Sequence, residues 1–383
     1  MVLADRVAQC VIETFLKLPP KGKPVKSSNR PSEWTILAGI VLESAQGMEC
    51  VALATGLKAS PDAIVKISNG NILHDSHAEI LAIRTFNHFL LNEISQLPTH
   101  HSKYIQAIEN PASSYLFEGF SNVKIHMYIS AAPCGDASLS LLSDLNQDER
   151  WTDPIEPVVP GGPLRGREHF FHTGYVRTKP GRRDSPITLS KSCSDKLAMK
   201  IATSLLLGPT STIISPKNFY LSSLTIPESE YRTSDINRAF GPQGRLKGLQ
   251  TQAPIHGTYS PHFFTVFPTK ITFPFQKSKE SKPCSQSLIY FLNAQEDKSG
   301  TFKKSSEVLF SGVKIGNKIL SGNGTSRISR RGIFSDVVKY IPQHQNTSYL
   351  DFKNLNDDRR KMKQEVYKIL NNWTPTSDDD FKL

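Results

Sequence analysis

His77-Ala78-Glu79, Pro133-Cys134-Gly135-Asp136 and Ser192-Cys193-Ser194-Asp195-Lys196 are the three short stretches that decide the fold of this chain. One imidazole and two thiolates can bind zinc, and a set of three protein ligands leaves the fourth tetrahedral position open to water. A glutamate beside the metal-binding histidine is not itself a ligand in such sites, so Glu79 is free to move protons. The stretches therefore predict a catalytic zinc site with His77, Cys134 and Cys193 as ligands and Glu79 as the proton carrier.

The order of these residues matches the opening of the zinc-deaminase signature, H-x-E followed by P-C. That signature usually has its second cysteine three positions after the first, but Ala137 stands there, and the nearest later cysteine is Cys193. Each residue alone has an ordinary structural explanation, since a single cysteine is most often a small buried hydrophobe. The combination is far more specific and favours zinc binding.

The hydrophobic pattern around the three stretches predicts how they converge. Residues 77–94 have the spacing of a long helix, and residues 123–130 alternate as a strand that runs into Pro133-Cys134. Residues 136–145 and 193–207 predict two further helices. Each ligand would then stand near a helix N-terminus, whose positive end favours thiolate over thiol.

The rest of the pattern predicts an α/β or α+β fold with a mixed sheet and flanking helices. Residues 5–18 predict a first helix, and residues 34–42 and 50–55 predict two strands joined by a turn. Residues 151–188 predict loops, and residues 355–371 predict a last, charged helix. Because no clear linker interrupts the chain, we expect a single domain over residues 1–383.

Composition narrows the class of partner. The chain has 383 residues and a net charge of +11, which favours a polyanionic partner such as nucleic acid. Basic residues concentrate in 177–200 and 327–363, although solvated helix faces are the ordinary explanation for such charges. Five cysteines, no apolar run long enough for a membrane span and no signal-peptide pattern predict an intracellular protein, in the cytoplasm or the nucleus.

Several strings resemble the adenosine-deaminase domain of RNA-editing enzymes. They are P-C-G-D and S-C-S-D-K above, Ala54-Thr55-Gly56-Leu57-Lys58, Arg177-Thr178-Lys179, and Trp373 followed by Pro375-Thr376. The resemblance runs from about Val7 to Phe381. It implies a cytidine-deaminase-like core, enlarged by a C-terminal region that encloses a polyphosphate. It also implies that zinc activates water while Glu79 moves protons to and from adenine C6.

Within that family the chain is most similar to members that act on tRNA. They make inosine from the adenosine just 3′ of the anticodon in alanine tRNA, a base that must leave its stack to react. Because the catalytic region starts almost at once, we expect no separate RNA-binding domain and favour a monomer. Editing of double-stranded or messenger RNA is the alternative activity, and a non-catalytic RNA-binding subunit is the alternative class. A free-nucleoside deaminase would need no such basic charge.

The resemblance also implies inositol hexakisphosphate beneath the active site. Its contacts would be Arg84, Lys196, Arg330, Tyr349, Lys353, Lys363, Trp373 and Asp379. Asp75 and Lys179 match a polar relay from that ligand to the zinc. Burying several cations without compensation is costly, so an enclosed anion would stabilise the fold. The alternative is that Arg330, Lys353 and Lys363 are surface charges that contact RNA.

Three further residues are candidate RNA contacts. Lys58 matches a segment near the target nucleotide in the editors, although a solvated loop lysine explains it almost as well. Arg182 and Arg183 stand where the editors have a loop whose glutamate fills the vacated base stack. That loop is basic here, so the glutamate's role does not carry over, and a different RNA substrate is expected.

Overall fold

The structure is a computed structural model that describes residues 1–27, 31–109, 115–144, 161–179, 184–251, 256–293, 305–370, 372–374 and 380–383. The helices are α1 Leu3–Lys17, α2 Asp62–Lys66, α3 Ala78–Gln96, α4 Cys193–Thr203, α5 Thr233–Phe240, α6 Arg330–Val338, α7 Tyr349–Asn354 and α8 Asp357–Ile369. The strands are β1 Glu33–Trp34, β2 Leu37–Ser44, β3 Gly47–Thr55, β4 Leu57–Ala59, β5 Asp75–His77, β6 Ile105–Ala107, β7 Phe117–Gly119, β8 Lys124–Ile129, β9 Leu164–Arg165, β10 Arg177–Thr178, β11 Ser223–Pro227, β12 Thr265–Thr269, β13 Lys282–Pro283, β14 Gln286–Phe291, β15 Ser306–Phe310 and β16 Val313–Lys314.

An eight-stranded sheet runs through the protein in the order β12-β11-β8-β2-β3-β14-β15-β16. β11 is parallel to both β12 and β8, whereas every other neighbouring pair is antiparallel. The predicted mixed sheet is therefore confirmed. Its central hairpin, β2 and β3, is the predicted strand pair, and most of its residues are buried because helices cover both faces.

Alternate residues of the hairpin face two hydrophobic clusters on opposite sides of the sheet. On one side, Leu37 and Leu53 pack with the buried face of α1, including Phe15. On the other side, Ala38 and Ala52 pack with α3 and much of the C-terminal half. The helix predicted over 5–18 is thus confirmed as α1, and the one predicted over 77–94 is α3.

The C-terminal helices pack on the α3 side through aromatic side chains. Phe334 of α6 and Phe352 of α7 have ring centroids 4.7 Å apart. Tyr349 stacks on Phe381 at 4.9 Å, which holds the end of the chain against α7. The predicted charged helix is confirmed as α8, which contacts α4.

Two predicted helices differ from the structure. Residues 136–144 form two 3₁₀ turns rather than an α-helix, because Ala137 N and Ser140 N donate to the side chains of Ser194 and Asp235. The helix that begins at Cys193 ends at Thr203 instead of Leu207, since Ser204 has a positive φ of 57°. The predicted α-helical N-terminus at Cys134 is therefore wrong, while those at His77 and Cys193 are confirmed.

The segment predicted as loops is irregular where it is described, apart from the short parallel pair β9 and β10. In the part of the chain that the structure describes, no helix combines the length and the apolar character that a membrane span requires.

Candidate metal centre and active site

His77, Cys134 and Cys193 converge although they lie far apart in the chain. His77 ends β5 and caps α3, Cys134 follows β8, and Cys193 opens α4. His77 Nδ1 lies 3.8 Å from Cys134 Sγ and 3.6 Å from Cys193 Sγ. The ligand atoms of all three residues lie within 4.8 Å of one another. The predicted ligand set is therefore brought together.

A glycine allows the two cysteine segments to meet. Gly135 has φ +97°, and a Cβ added there would lie 2.2 Å from Ser192 Oγ. Ser194 Oγ donates to the carbonyls of Pro133 and Cys134, at 3.0 and 2.9 Å, and so ties the turn after β8 to α4. The turn at Pro133-Cys134-Gly135-Asp136 therefore packs directly against the start of α4.

Two buried aspartates fix these segments to the rest of the protein. Asp195 accepts from the backbone N–H of Arg177 at 2.9 Å and from Arg245 Nη1 at 2.5 Å. Asp136 accepts from Arg238 Nε at 3.1 Å and from the backbone N–H of Gly174 at 2.7 Å. The sequence prediction missed Arg238 and Arg245, because nothing in the sequence links such distant arginines to the cysteine strings.

The approach to the site is formed by the antiparallel pair of β4 and β5. Lys58 pairs with Ser76, one residue before His77, and the Lys58 side chain is exposed. Gly56 precedes this pair, and a Cβ there would lie 2.0 Å from the carbonyl oxygen of Ser76. The T-G-L-K string therefore passes close to the ligand His77 because of its glycine.

Glu79 lies in the first turn of α3 and is only 1% exposed. Its Oε2 is buried and has no hydrogen-bond partner among the described residues. Burial raises the pKa of Glu79, while His77 partly lowers it. An unpartnered buried carboxyl is costly, and this one stands where a proton carrier for the predicted zinc site would be needed.

The two thiols differ in their readiness to ionise. A hydrogen bond from Cys193 and the nearby charge of Lys179 hold the pKa of Cys134 well below its ordinary value. Burial and the bond to Cys134 raise the pKa of Cys193. One negative charge is thus favoured on the pair in the metal-free protein. A second thiolate would need a further cation in the cluster.

This donor set fits a zinc-type metal site. Two sulfurs and one imidazole nitrogen are ligands that zinc prefers, and three ligands leave a position for water. Lys179 Nζ donates to Cys193 Sγ at 3.2 Å, as expected of an outer-shell group that stabilises a thiolate. All five cysteines of the chain are free, so neither thiol of the cluster is used in a disulfide.

Asp75 joins this cluster to a second feature. It accepts hydrogen bonds from Lys179 Nζ at 2.6 Å, from Lys196 Nζ at 2.5 Å and from the backbone N–H of His77 at 3.0 Å. Although burial opposes ionisation, Lys179 and Lys196 hold the pKa of Asp75 well below its ordinary value. The predicted relay residues therefore form a continuous path from Cys193 through Lys179 and Asp75 to Lys196.

Lys196 faces a cavity of about 290 Å³ between α3, α4 and the C-terminal helices. Six residues that were predicted to bind the polyphosphate line it: Arg84, Lys196, Arg330, Lys353, Lys363 and Trp373. Tyr349 lies behind them, with its ring 5.9 Å from the Arg330 guanidinium and 5.2 Å from Lys353 Nζ. Asp379, Arg182 and Arg183 lie outside the described residues.

Burial lowers the pKa of several cations around this cavity. Burial lowers the pKa of Lys363 to about 7, with the charge of Arg359 adding to the effect. Burial and the charges of Lys363 and Arg330 lower the pKa of Lys353 well below its ordinary value. Arg330, Lys353 and Lys363 all line the cavity and are half-buried, which favours a role inside it over the alternative of exposed surface charges.

The sequence prediction missed other cations of this region. Lys191 also lines the cavity, and burial lowers its pKa to about 8. Lys200 lies on α4, and its pKa is lowered well below the ordinary value by burial and by Arg359 and Lys363. The only sequence feature that could have indicated them is their closeness to Lys196 in the basic stretch 177–200.

Comparisons with known proteins identify the family of this chain. The adenosine-deaminase (editase) domain profile matches residues 52–376. The chain is 35% identical to "tRNA-specific adenosine deaminase 1" of Schizosaccharomyces pombe, covering 99% of this chain and 97% of that protein. It is 33% identical to the protein of that name in Saccharomyces cerevisiae, over 99% of this chain and 94% of the relative. "Double-stranded RNA-specific editase Adar" of Drosophila melanogaster is 27% identical over 60% of this chain and 34% of its own length. The chain therefore belongs to the adenosine-deaminase (editase) domain family.

Proposed function

We propose that this protein is a zinc-dependent hydrolytic deaminase that converts adenosine to inosine in tRNA, at the adenosine 3′ of the anticodon in alanine tRNA. The observation that carries the proposal is the buried carboxyl of Glu79 beside the cluster of His77, Cys134 and Cys193, with its Oε2 unpartnered among the described residues. The names of the relatives that match this chain along nearly all of its length supply the substrate class.

His77 Nδ1, Cys134 Sγ and Cys193 Sγ would hold the zinc ion. When bound there, zinc supplies the Lewis acid that makes water nucleophilic near neutral pH. Hydrolysis adds water at C6 of adenine and releases ammonia, so protons must pass from the water to the ring nitrogen and the leaving amine. Glu79 Oε2 accepts the first proton and returns it, because this buried carboxyl oxygen has no hydrogen-bond partner among the described residues and burial raises the pKa of Glu79.

The other residues of the site orient the ligands. Lys179 donates to Cys193 Sγ and Asp75 accepts from the backbone N–H of His77, so each fixes one ligand. The surrounding tRNA would bind through its phosphates, for which the net charge of +11 is suited. Lys58, Arg182 and Arg183 are the proposed contacts, and exposed Lys58 pairs with Ser76, the residue before His77.

The cavity beside Lys196 is proposed to enclose inositol hexakisphosphate. Lysines and arginines of separate helices face a common space, and burial is the main cause that lowers the pKa values of Arg330, Lys353 and Lys363. A ligand with six phosphates would reverse that effect and link α3, α4, α6, α7 and α8. Two carboxylates, Asp62 and Asp75, also line the cavity, and Lys66 and the relay lysines pair with them.

We further propose that residues 1–383 act as one deaminase domain, as an intracellular monomer. The cavity supports the single domain, since its lining residues extend from Ser60 to Trp373.

The test is ammonia release and inosine formation in bulk tRNA and in a model RNA duplex, with zinc-loaded wild-type protein and the Glu79→Gln variant. The proposal predicts product from tRNA only, and none from the variant even though it still binds tRNA. Product from the duplex as well would favour the general RNA-editing alternative. Tight tRNA binding without product from wild-type protein would favour the non-catalytic alternative.

A further inference from the structure

Residues 166–175, between β9 and β10, expose a cluster of aromatic side chains that the mechanism does not use. We call this segment the aromatic loop. Phe171 is 64% exposed and Tyr175 is 48% exposed. The His172 ring lies 4.5 Å from that of Phe171 and 6.0 Å from that of Tyr175, while His169 stacks on His172 at 5.3 Å. Large apolar rings are rarely left in water in such a group without a function.

The Arg177 side chain fixes the backbone of the aromatic loop. This side chain is 1% exposed, and its guanidinium donates to the carbonyls of Gly166 and Glu168 and, at 2.9 and 2.8 Å, to those of His169 and His172. Four carbonyls bound by one planar group fix the loop's path. Its exposed rings are therefore arranged before any partner binds, which lowers the entropic cost of binding.

The same loop is anchored to both cysteine segments of the active site. At one point Gly174 N donates to Asp136 Oδ1 at 2.7 Å, two residues after Cys134. Two residues beyond the loop, Arg177 N donates at 2.9 Å to Oδ2 of Asp195, which lies two residues after Cys193. The backbone on either side of Tyr175 is thus hydrogen-bonded to the residues two positions after each cysteine ligand, which places the aromatic loop beside the segments that carry those ligands.

We propose that the aromatic loop is a stacking platform for unpaired bases of the RNA substrate beside the target adenosine, with Phe171 and Tyr175 as its main contacts. This inference rests on the proposed function. Unpaired bases stack on aromatic side chains whatever their sequence, whereas bases in a duplex already stack on each other. The platform therefore selects for a substrate whose target lies in a single-stranded loop, such as the anticodon loop, and against a continuous duplex.

The test compares the affinity of Phe171→Ala, Phe171→Tyr and Tyr175→Ala for an alanine tRNA transcript that carries 2-aminopurine next to the target. Binding is followed by fluorescence at several salt concentrations, since stacking quenches this base. We expect Phe171→Ala to weaken binding about 5- to 100-fold and to relieve the quenching. Its salt dependence should match wild type, because no phosphate contact is lost. Phe171→Tyr should restore both signals.

Leu16→Ala is the matched control, since Leu16 is 49% exposed on α1, on the other side of the sheet. It should bind as wild type does. Melting temperature and zinc content test whether each variant is folded. Affinity and quenching that stay within twofold of wild type in both alanine variants would overturn the inference and assign the patch to another partner, such as a protein. Equal loss in Phe171→Ala and Phe171→Tyr would also overturn it. If wild-type protein neither binds nor deaminates tRNA, the proposed function itself fails.

Discussion

Single residues carry the chemistry of this site, and Cys193 is the ligand whose role is easiest to isolate. Cys193→Ser replaces a strong zinc ligand with a hydroxyl of similar size. We expect the zinc content to fall to background and activity to drop by at least about 100-fold. Plasma emission spectrometry of the purified protein measures the zinc directly.

Cys284→Ser is the control, because Cys284 is equally buried but lies outside the cluster. It should retain its zinc. Equal metal content in Cys193→Ser and wild type would contradict the proposed ligand set.

Asp75 compensates two lysines at once, so its charge is expected to matter more than its size. Asp75→Asn would leave Lys179 and Lys196 without their shared carboxylate. Breaking a buried charge pair in this way costs about 3–5 kcal/mol of the free energy of unfolding. Urea denaturation followed by fluorescence measures the loss.

Glu13→Gln, at an exposed position of α1, provides the comparison and should leave the urea midpoint unchanged. An Asp75→Asn protein as stable as the Glu13→Gln protein would mean that the relay has no structural role.

At the scale of elements, the meeting of the turn after β8 with the start of α4 depends on Gly135. Gly135→Ala would have to adopt φ +97° and accommodate a contact of 2.2 Å with Ser192 Oγ. The backbone alone costs about 1–3 kcal/mol, and relief of the clash would move Cys134 away from Cys193. We therefore expect both a lower melting temperature and weaker zinc binding.

Gly47→Ala separates these two effects. Gly47 has φ +123°, but nothing lies within 4 Å of an added Cβ. It should lower the melting temperature without changing the affinity for zinc. Weakened zinc binding in both variants would show that stability, and not the approach of the cysteines, explains the result.

The elements that sequence periodicity predicted are those with a strong hydrophobic pattern of their own. α1, the hairpin of β2 and β3, and α3 have strong local patterns, and the structure has them nearly where expected. β14 was not predicted, because it completes the sheet by pairing with β3, more than two hundred residues earlier. The 3₁₀ turns after Cys134 look helical in sequence, but side chains from α4 and α5 take their backbone N–H groups.

Across the whole molecule, the cavity gathers cations from the middle and the end of the chain. Lys363→Met removes one whose pKa is lowered to about 7 by burial. Without a polyanion, the variant should melt at least about 2 °C higher than wild type, since an unfavourable buried charge is gone. With added inositol hexakisphosphate, wild type should gain stability and the variant should gain less. Differential scanning calorimetry measures both.

The pH dependence gives an independent readout of the same lysine. In the anion-free protein the unfolded chain binds a proton at Lys363 up to its ordinary pKa of 10.5, whereas the folded protein releases it from about pH 7. The unfolded state thus binds more protons between these values, so stability rises with pH across that window. Bound polyphosphate should abolish the rise.

Lys368→Met on the same helix is the control, because Lys368 is exposed and paired with Glu365. It should leave the melting temperature and its response to the polyanion as in wild type. A Lys363→Met protein that responds to inositol hexakisphosphate as strongly as the Lys368→Met protein would contradict the proposed ligand.

The two sites differ in how far the sequence could predict them. His77, Cys134 and Cys193 each stand in a short string whose spacing has chemical meaning, so their convergence was predictable from residues alone. The cations of the cavity stand singly on α3, α4, α6, α7 and α8, where each resembles an ordinary surface charge. Only a family resemblance could group them. Neither the residue patterns nor the resemblance predicted that Arg238 binds Asp136 and that Arg245 binds Asp195.

We propose that the cluster of His77, Cys134, Cys193 and Glu79 deaminates one adenosine of tRNA. The most direct measurement is inosine mapped by sequencing along an alanine tRNA transcript after incubation with zinc-loaded wild-type or Glu79→Gln protein. We expect inosine at the single adenosine 3′ of the anticodon with wild type, and none with the variant. Inosine formed equally by the variant, or none formed by folded, zinc-loaded wild type, would contradict it.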